Sequence, residues 1–452
     1  MDRRQFCKRI GAASAAFLGG PSLLQILEAC GGGTPSRPSV AATPNWAAGG
    51  EIHLLQRQSF VDPADAKMQE LMLRWASQHR GWKAVLERID GGDLQTRTSA
   101  LVQAQSGPDI IQMQFDWPWL YESSCVDVSD IAQHVMKQNG PFHDADRKAC
   151  VVKGAWRAVP FTNVAGGWVY RKDLWSQVGR PDFATSYQDL LTKGKELRRQ
   201  TGIPYGQALG HGALGDGQTW YGTLWSFGGQ EVDRDGKTVA IDSAGTRAAV
   251  EWAIEAWQSG FLTHNALSWD DTSNNTAYNA RQLSATPNAS SIYLNVLPGA
   301  PNADPFLAQN TWGAGTMRGP EAQAALGSTY SHAVMKWSKN QSAAKDLVSY
   351  LMRKDVFDEW MTAAKGYNTY PGPLMDGHAV WKQRPFLATY NRSQKYHRWP
   401  GWPGPPSRNA ARVLTQYVIM DMFARSVQDP SNYRKVISDT ARRLQGVYGA
   451  PS

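Results

Sequence analysis

Charge and cysteine are both scarce in this chain. Asp, Glu, Lys and Arg make up 19% of its 452 residues, and there are only four cysteines. No C-x-x-C, no H-E-x-x-H and no G-x-S-x-G occurs. Those absences exclude a zinc centre of ordinary spacing, a redox dithiol and a serine nucleophile elbow. Gly236-Lys237-Thr238 ends like a phosphate loop, but the glycine required five residues earlier is Glu231. Asp270 and Asp271 are adjacent. On regular backbone their side chains diverge, so they read as a solvated loop or a helix cap and not as an acid/base pair. Basic residues (47) outnumber acidic ones (39), for a net charge of +8, and they form no dominant run. A nucleic-acid partner is therefore not expected. Within the N-terminal region the longest charge-free run, Ile10 to Leu27, holds three Gly, two Ser, a Pro and a Gln. That is too weakly apolar for a transmembrane helix.

The same region has the layout of a secretory signal: a positive patch, a short apolar stretch and a small residue before a cleavage point. Arg3-Arg4-Gln5-Phe6 resembles the twin-arginine export motif, with a bulky apolar residue two places after the pair. Leu27-Glu28-Ala29-Cys30 resembles a lipoprotein box, with Glu28 a departure from the small uncharged residue usual there. The expectation is a signal peptide over 1–29 and acylation of Cys30, against the alternative of a soluble secreted protein cut after Ala42. Residues 30–50 are mostly Gly, Pro, Ser, Thr and Ala. They read as a flexible tether, about 25 Å root-mean-square end to end.

The remaining body is long enough for two domains. Cys125 and Cys150 lie in it. In an exported protein such a pair is a disulfide or two separate buried thiols, and the sequence leaves both open. The chain also holds 19 Trp. Flat rings with one polar edge suit sugar faces, although Trp75, Trp252 and Trp257 sit on helical apolar stripes and read as core.

Elements alternate along the body. Glu51 to Gln56 reads as a strand. A helix starts at Asp62-Pro63 with Asp62 as its cap and carries Met68, Leu71, Met72 and Trp75 on one face. Lys83 to Ile89 is a strand, Leu94 to Gln105 a helix, and Asp109 to Met113 a buried strand. Gly167 to Tyr170 is a further strand, and Tyr187 to Arg199 a helix capped near Ser186. Another helix opens at Asp242-Ser243 and ends at Gly260, and Gln341 to Met352 forms a third with one apolar stripe. The C-terminal part is helical around Ala410 to Ser426 and Tyr433 to Tyr448, preceded by a stiff aromatic loop from Arg398 to Pro406. Strands and helices in this order predict a mostly parallel sheet covered by helices on both faces. Gly210-His211-Gly212-Ala213-Leu214-Gly215 matches G-x-G-x-x-G and keeps open a twin-arginine-exported dinucleotide oxidoreductase. Without a strand–loop–helix at the start of the body the match is weak, and it also reads as a flexible turn at a ligand cleft.

Several segments together resemble the extracellular solute-binding proteins of ABC importers, family 1, the maltodextrin-binding-like group. They are Val159-Pro160-Phe161-Thr162-Asn163 followed by Gly167 to Trp175, then Ser186 to Leu191, Phe227-Gly228-Gly229 before Asp242-Ser243, and Ser338-Lys339-Asn340 before Ala343-Ala344. Arg171 stands where that family usually has Asn, and Ala280-Arg281 where it has Gly-Lys.

The resemblance implies a two-lobed α/β periplasmic-binding-protein fold with several hinge crossings and a helical C-terminal region. Lobe one would comprise 51–161 and 327–381, and lobe two 162–326 and 382–452. The implied function is capture of a sugar, oligosaccharide or polyol between the lobes for delivery to permease subunits. The implied protein is a monomer without enzyme activity, cofactor or metal, in the periplasm or at the cell surface on a lipid anchor. The ligand contacts it implies are Gln58, Ser59, Asp116, Trp117, Asn163, Asp216, Gln218, Trp220, Tyr221, Asn288, Ser290, Trp399, Trp402 and Arg408.

Overall fold

β1 (Gly50–Arg57) and β2 (Trp82–Ile89) run parallel in a register that pairs Gly50 with Trp82 and Arg57 with Ile89. Between them, α1 (Asp62–Ser77) buries Met68, Leu71, Met72 and Trp75 completely. This is the i, i+3, i+4, i+7 stripe expected of an amphipathic helix laid on a sheet. The Trp75 indole is not left unpartnered, because its Nε1 donates to Asp346 Oδ2 at 2.8 Å. α2 (Leu94–Ala104) leads to β3 (Ile110–Gln114), a strand buried along its whole length and parallel to β1. The structure is a computed structural model and describes residues 49–164, 166–211, 214–383 and 385–449. The expected signal peptide, its twin-arginine pair, Cys30 and nearly all of the tether lie outside the described residues.

The chain continues through α3 (Asp144–Cys150) to β4 (Val159–Val164) and β5 (Gly167–Arg171). It then forms α4 (Tyr187–Thr201), α5 (Thr219–Ser226) and α6 (Ala244–Gln258). α4 and α6 are capped by Ser186 and Ser243, whose hydroxyls accept from Asp189 N and Thr246 N at 3.1 Å. β6 (Ala285–Asn288) and β7 (Thr311–Ala314) follow, then β8 (Thr329–Val334), α7 (Gln341–Leu351), α8 (Lys354–Ala363) and β9 (Asn368–Thr369).

The strands form two main sheets. The first has the order β9-β4-β8-β3-β1-β2, and the second the order β6-β5-β7. Only the β1–β2 and β1–β3 pairs in them are parallel. β8 is antiparallel to β3 and β4, β9 is antiparallel to β4, and the second sheet is antiparallel throughout. The expectation of a mostly parallel sheet is corrected here. Parallel pairing needs a crossover on one sheet, which α1 and α2 supply, whereas β8 and β9 return to the first sheet after an excursion through the second.

Three helices close the chain: α9 (Arg408–Thr415), α10 (Val418–Gln428) and α11 (Tyr433–Tyr448). The expected helical run from Ala410 to Ser426 is broken at Tyr417, whose φ of 57° is left-handed. α10 packs on α6 and α11, while α9 reaches the short helix at Trp117–Leu120. The start of α1 also differs from expectation. Asp62 does not cap it; the boundary residue is Val61, whose amide donates to Ser59 Oγ at 3.0 Å, and Asp65 accepts from Ser59 N at 3.0 Å.

Cys125 and Cys150 are free, fully buried thiols. This corrects the disulfide alternative. Cys125 is fixed by an isolated bridge to Met335 and Cys150 ends α3, and burial pushes the Cys125 thiol up to about 12 and Cys150 higher still.

Candidate functional site

Between the two sheets lies a cavity of about 140 Å³. From the side of the first sheet it is lined by Arg57 at the end of β1, by Phe60 and Phe115, by Tyr330 on β8, and by Tyr367. From the other side come Trp168 on β5, Gln207, Asp216, Thr219 and Gly222 on α5, Asp271, Asn275, and Asn288 on β6. One edge is sealed by a small apolar cluster separate from the main core. It joins Val61 and Tyr367 to Ala289 and Leu294, with Phe60 and Tyr293 packed against it.

The polar groups of the cavity are mostly fixed before any solute arrives. Arg57 donates through one terminal nitrogen to Tyr330 Oη at 2.8 Å, and its guanidinium lies 5.0 Å from the Phe60 ring centroid. Burial opposes the Arg57 charge, but Tyr330, Tyr367 and Asp271 together raise its pKa. Asn288, Asn275 and Ser291 form a closed ring of hydrogen bonds: Asn288 Nδ2 to Asn275 Oδ1 (2.6 Å), Asn275 Nδ2 to Ser291 Oγ (3.2 Å), and Ser291 Oγ to Asn288 Oδ1 (3.3 Å). Gln207 donates Nε2 to Thr219 Oγ1 at 3.1 Å, which leaves its buried Oε1 without a hydrogen bond.

Two carboxylates complete the lining. Asp271 Oδ1 accepts from Gly215 N at 2.9 Å and Asp216 N at 3.3 Å. Asp216 Oδ2 is fully buried without a hydrogen bond of normal length. Burial, and then the Asp271 charge, hold the Asp216 carboxyl well above the usual range, against the pull of Arg57 and Asn274. Asp271 is raised for the same first reason, with Arg57 and the two backbone amides opposing it.

The sequence-chosen contacts separate into two groups. Asp216, Gln218 and Asn288 line the cavity. Gln58 is exposed beyond β1, and Ser59 is engaged at the start of α1. Asn163 is fully buried in β4 and its amide N–H groups are spent on Asp146 and Gln394. Asp116 and Trp117 are fully buried outside the cavity lining. Burial pushes Asp116 well above the carboxylate range, and Glu231 adds to the shift. Trp220 and Tyr221 occupy the faces of α5 away from the cavity. Trp220 donates Nε1 to Ala208 O at 2.8 Å and stacks on Phe423. Ser290 is buried beside the site without lining it. In the aromatic loop, Trp399 donates Nε1 to Gly404 O at 2.8 Å, Trp402 meets Trp225 edge-on at 5.9 Å, and Arg408 donates to Leu120 O at 3.4 Å.

Sequence reasoning passed over Arg57, Gln207, Asp271, Asn275, Tyr330 and Tyr367. Arg57 ends the very strand after which Gln58 and Ser59 were chosen. From the sequence Asp271 reads as a loop or cap residue, because adjacent side chains diverge and Asp270 precedes it. That divergence is real: Asp270 accepts from Thr272 N and Ser273 Oγ in its own turn, and Asp271 is left to the cavity.

A family model, bacterial extracellular solute-binding protein, matches residues 59–356. The chain belongs to this family. No curated protein matches it. Among solved structures, the fold of this solute-binding protein is similar to the GacH receptor of Streptomyces glaucescens GLA.O, solved unliganded and with acarbose. The TM-score is 0.75 at 14% identity, covering 90% of this chain and 100% of that one. Maltose-bound T. maritima MalE3 matches with TM-score 0.73 at 18% identity over 88% and 99% of the two chains. A sugar transporter from Arthrobacter chlorophenolicus A6 with bound laminaribiose matches with TM-score 0.73 at 15% identity, over the same shares. The architecture is the two-lobed periplasmic-binding-protein fold. Nothing supports the dinucleotide alternative: the helix after the Gly-rich stretch is only Leu214–Gly217, and Gly215 N serves Asp271. Among the described residues no helix is long and apolar enough to cross a membrane, and no cluster of His, Cys, Asp or Glu could hold a metal.

Proposed function

We infer that this solute-binding protein captures a sugar, oligosaccharide or polyol between its lobes and delivers it to the permease of an ABC importer. The observation that carries this is the cavity, which combines aromatic rings, hydroxyls, amides and carboxylates between two sheets. Such a mixture matches polyhydroxyl solutes with apolar faces. The related folds solved with maltose, laminaribiose and acarbose favour the same solute class. The protein binds without turnover, as a monomer.

The lobes follow the strands. Lobe one, residues 51–161 and 327–381, carries most of the first sheet, and lobe two, residues 162–326 and 382–452, carries the second sheet and the C-terminal helices. A twin-arginine signal and an acylated Cys30 would export this body and tether it at the membrane surface.

A thermal-shift screen of mono-, di- and oligosaccharides and polyols tests the reading. A solute at 100 times its dissociation constant stabilises by about 2.7 kcal/mol. No shift with any member, or conversion of a bound solute, would refute it. For the anchor, Cys30→Ser releases the protein from membranes; equal partition of wild type and variant into the soluble fraction rules the anchor out.

A further inference from the structure

Every buried side-chain atom that lines the cavity without a hydrogen bond, among the described residues, is an oxygen: Gln207 Oε1, Asp216 Oδ2 and Thr316 Oγ1. The Gln207 side chain is 1% exposed, one of its amide N–H groups is engaged with Thr219, and its Oε1 stands in the lining as an acceptor with no partner. Thr316 Oγ1 is a hydroxyl and can donate or accept, but Gln207 Oε1 accepts only, as does Asp216 Oδ2 when ionised, and buried acceptors left empty are costly.

Charge points the same way. Arg57 compensates one carboxylate, and its guanidinium is partly committed to Tyr330. The other titratable groups facing the site add no cation. His397 is held neutral, since burial lowers it to about 3, and Tyr330 and Tyr367 are raised by burial. Asp270 adds a like charge nearby. With Asp216 and Asp271 both ionised, the cavity carries one negative charge that Arg57 does not compensate. A neutral solute leaves that charge standing or leaves Asp216 protonated.

We propose that the solute is a cation, a sugar or polyol bearing an amine, whose ammonium is held by Asp216 and Asp271 with Gln207 Oε1 as a further acceptor. This rests on the sugar- or polyol-binding reading above. An ammonium supplies three donors and the missing charge together.

The experiment is calorimetric titration at pH 6.5 with matched sets: glucosamine, glucose and N-acetylglucosamine, and the corresponding β-1,4-linked disaccharides. The amino member of a set should bind at least tenfold tighter than its hydroxyl and N-acetyl partners. Asp271→Asn should reduce the preference to about threefold or less, while Asp270→Asn should leave it intact. Hydroxyl members binding as tightly as amino ones, or an amino preference untouched by Asp271→Asn, would overturn the cation assignment and leave the sugar-binding reading standing. Absence of binding by all members, where the thermal screen finds another sugar or polyol that binds, would overturn the cation assignment alone; no binder in either experiment would overturn both.

Discussion

Asn163 donates its side-chain amide to both carboxylate oxygens of Asp146, at 2.8 and 2.7 Å, and to Gln394 Oε1 at 3.1 Å. Thr329 Oγ1 donates to the same carboxylate at 2.6 Å. Four chain segments are thus joined where β4 and β8 pair, and Asn163 has no donor left for a solute. Burial pushes Asp146 up to about 7 despite these hydrogen bonds.

A pH dependence follows from that shift. A carboxyl raised in the native state binds its proton more tightly there than in the unfolded chain. Its contribution to stability is full below the unfolded pKa of about 4 and is lost as pH rises through about 7. Between those limits wild type should lose stability relative to Asp146→Asn by up to about 1.4 kcal/mol per pH unit. Chemical denaturation of both proteins across pH 4–8 measures the difference, and parallel curves throughout would show Asp146 ionised in the native protein.

Within the cavity, Gln207→Leu keeps the side-chain volume but removes the acceptor that lacks a partner. A solute hydrogen bond is worth about 0.5–1.5 kcal/mol, so binding should weaken by up to about tenfold. Trp402→Ala, outside the cavity lining, should change affinity by less than about threefold. Titration with a solute identified by the thermal screen reads both, and the reverse ranking would move the site into the aromatic loop.

Leu294 belongs to the small apolar cluster that joins both sides of the cavity edge. Leu294→Ala trims contacts made only when those sides meet. The population competent to hold solute should fall, and apparent affinity with it, by about tenfold for about 1.4 kcal/mol of lost closure energy. Solution scattering should show a larger radius of gyration for the variant without solute. Unchanged scattering and affinity would mean that the cluster does not govern closure.

Trp220 is fully buried, stacked on Phe423 and hydrogen-bonded to Ala208 O. Trp220→Ala should destabilise the fold by about 3–5 kcal/mol. Its folded fraction should bind solute with nearly unchanged affinity. A selective loss of affinity with normal stability would place Trp220 in the site.

Cys125 and Cys150 should resist alkylation in the native protein and react after unfolding, because burial keeps both thiols protonated. Peptide mass spectrometry of the labelled chain reads each separately. A disulfide-linked peptide pair would contradict the structure.

What the sequence made legible was the part governed by periodicity. The stripe Met68, Leu71, Met72 and Trp75, the cap at Ser186 and the helix opening at Asp242-Ser243 depend on local spacing, and all appear where expected. The candidate site was harder to see because it depends on facing. α5 carries Trp220, Tyr221 and Trp225, yet its small and polar positions, Thr219 and Gly222, are the ones that line the cavity. Aromatic richness signalled a helix buried on most sides, and nothing local distinguished that from a sugar platform. Arg57 and Asp271, far apart in the chain, come together only when the first sheet meets the second.

The placement of the indoles has an optical consequence. Among the described residues Trp168 is the only tryptophan that lines the cavity. The protein absorbs and emits strongly through its 19 tryptophans, and the other described indoles lie outside the cavity lining. Solute entry will register as a small difference on a large background, and an extrinsic fluorophore on either side of the Val61–Leu294 edge would report it with far better contrast.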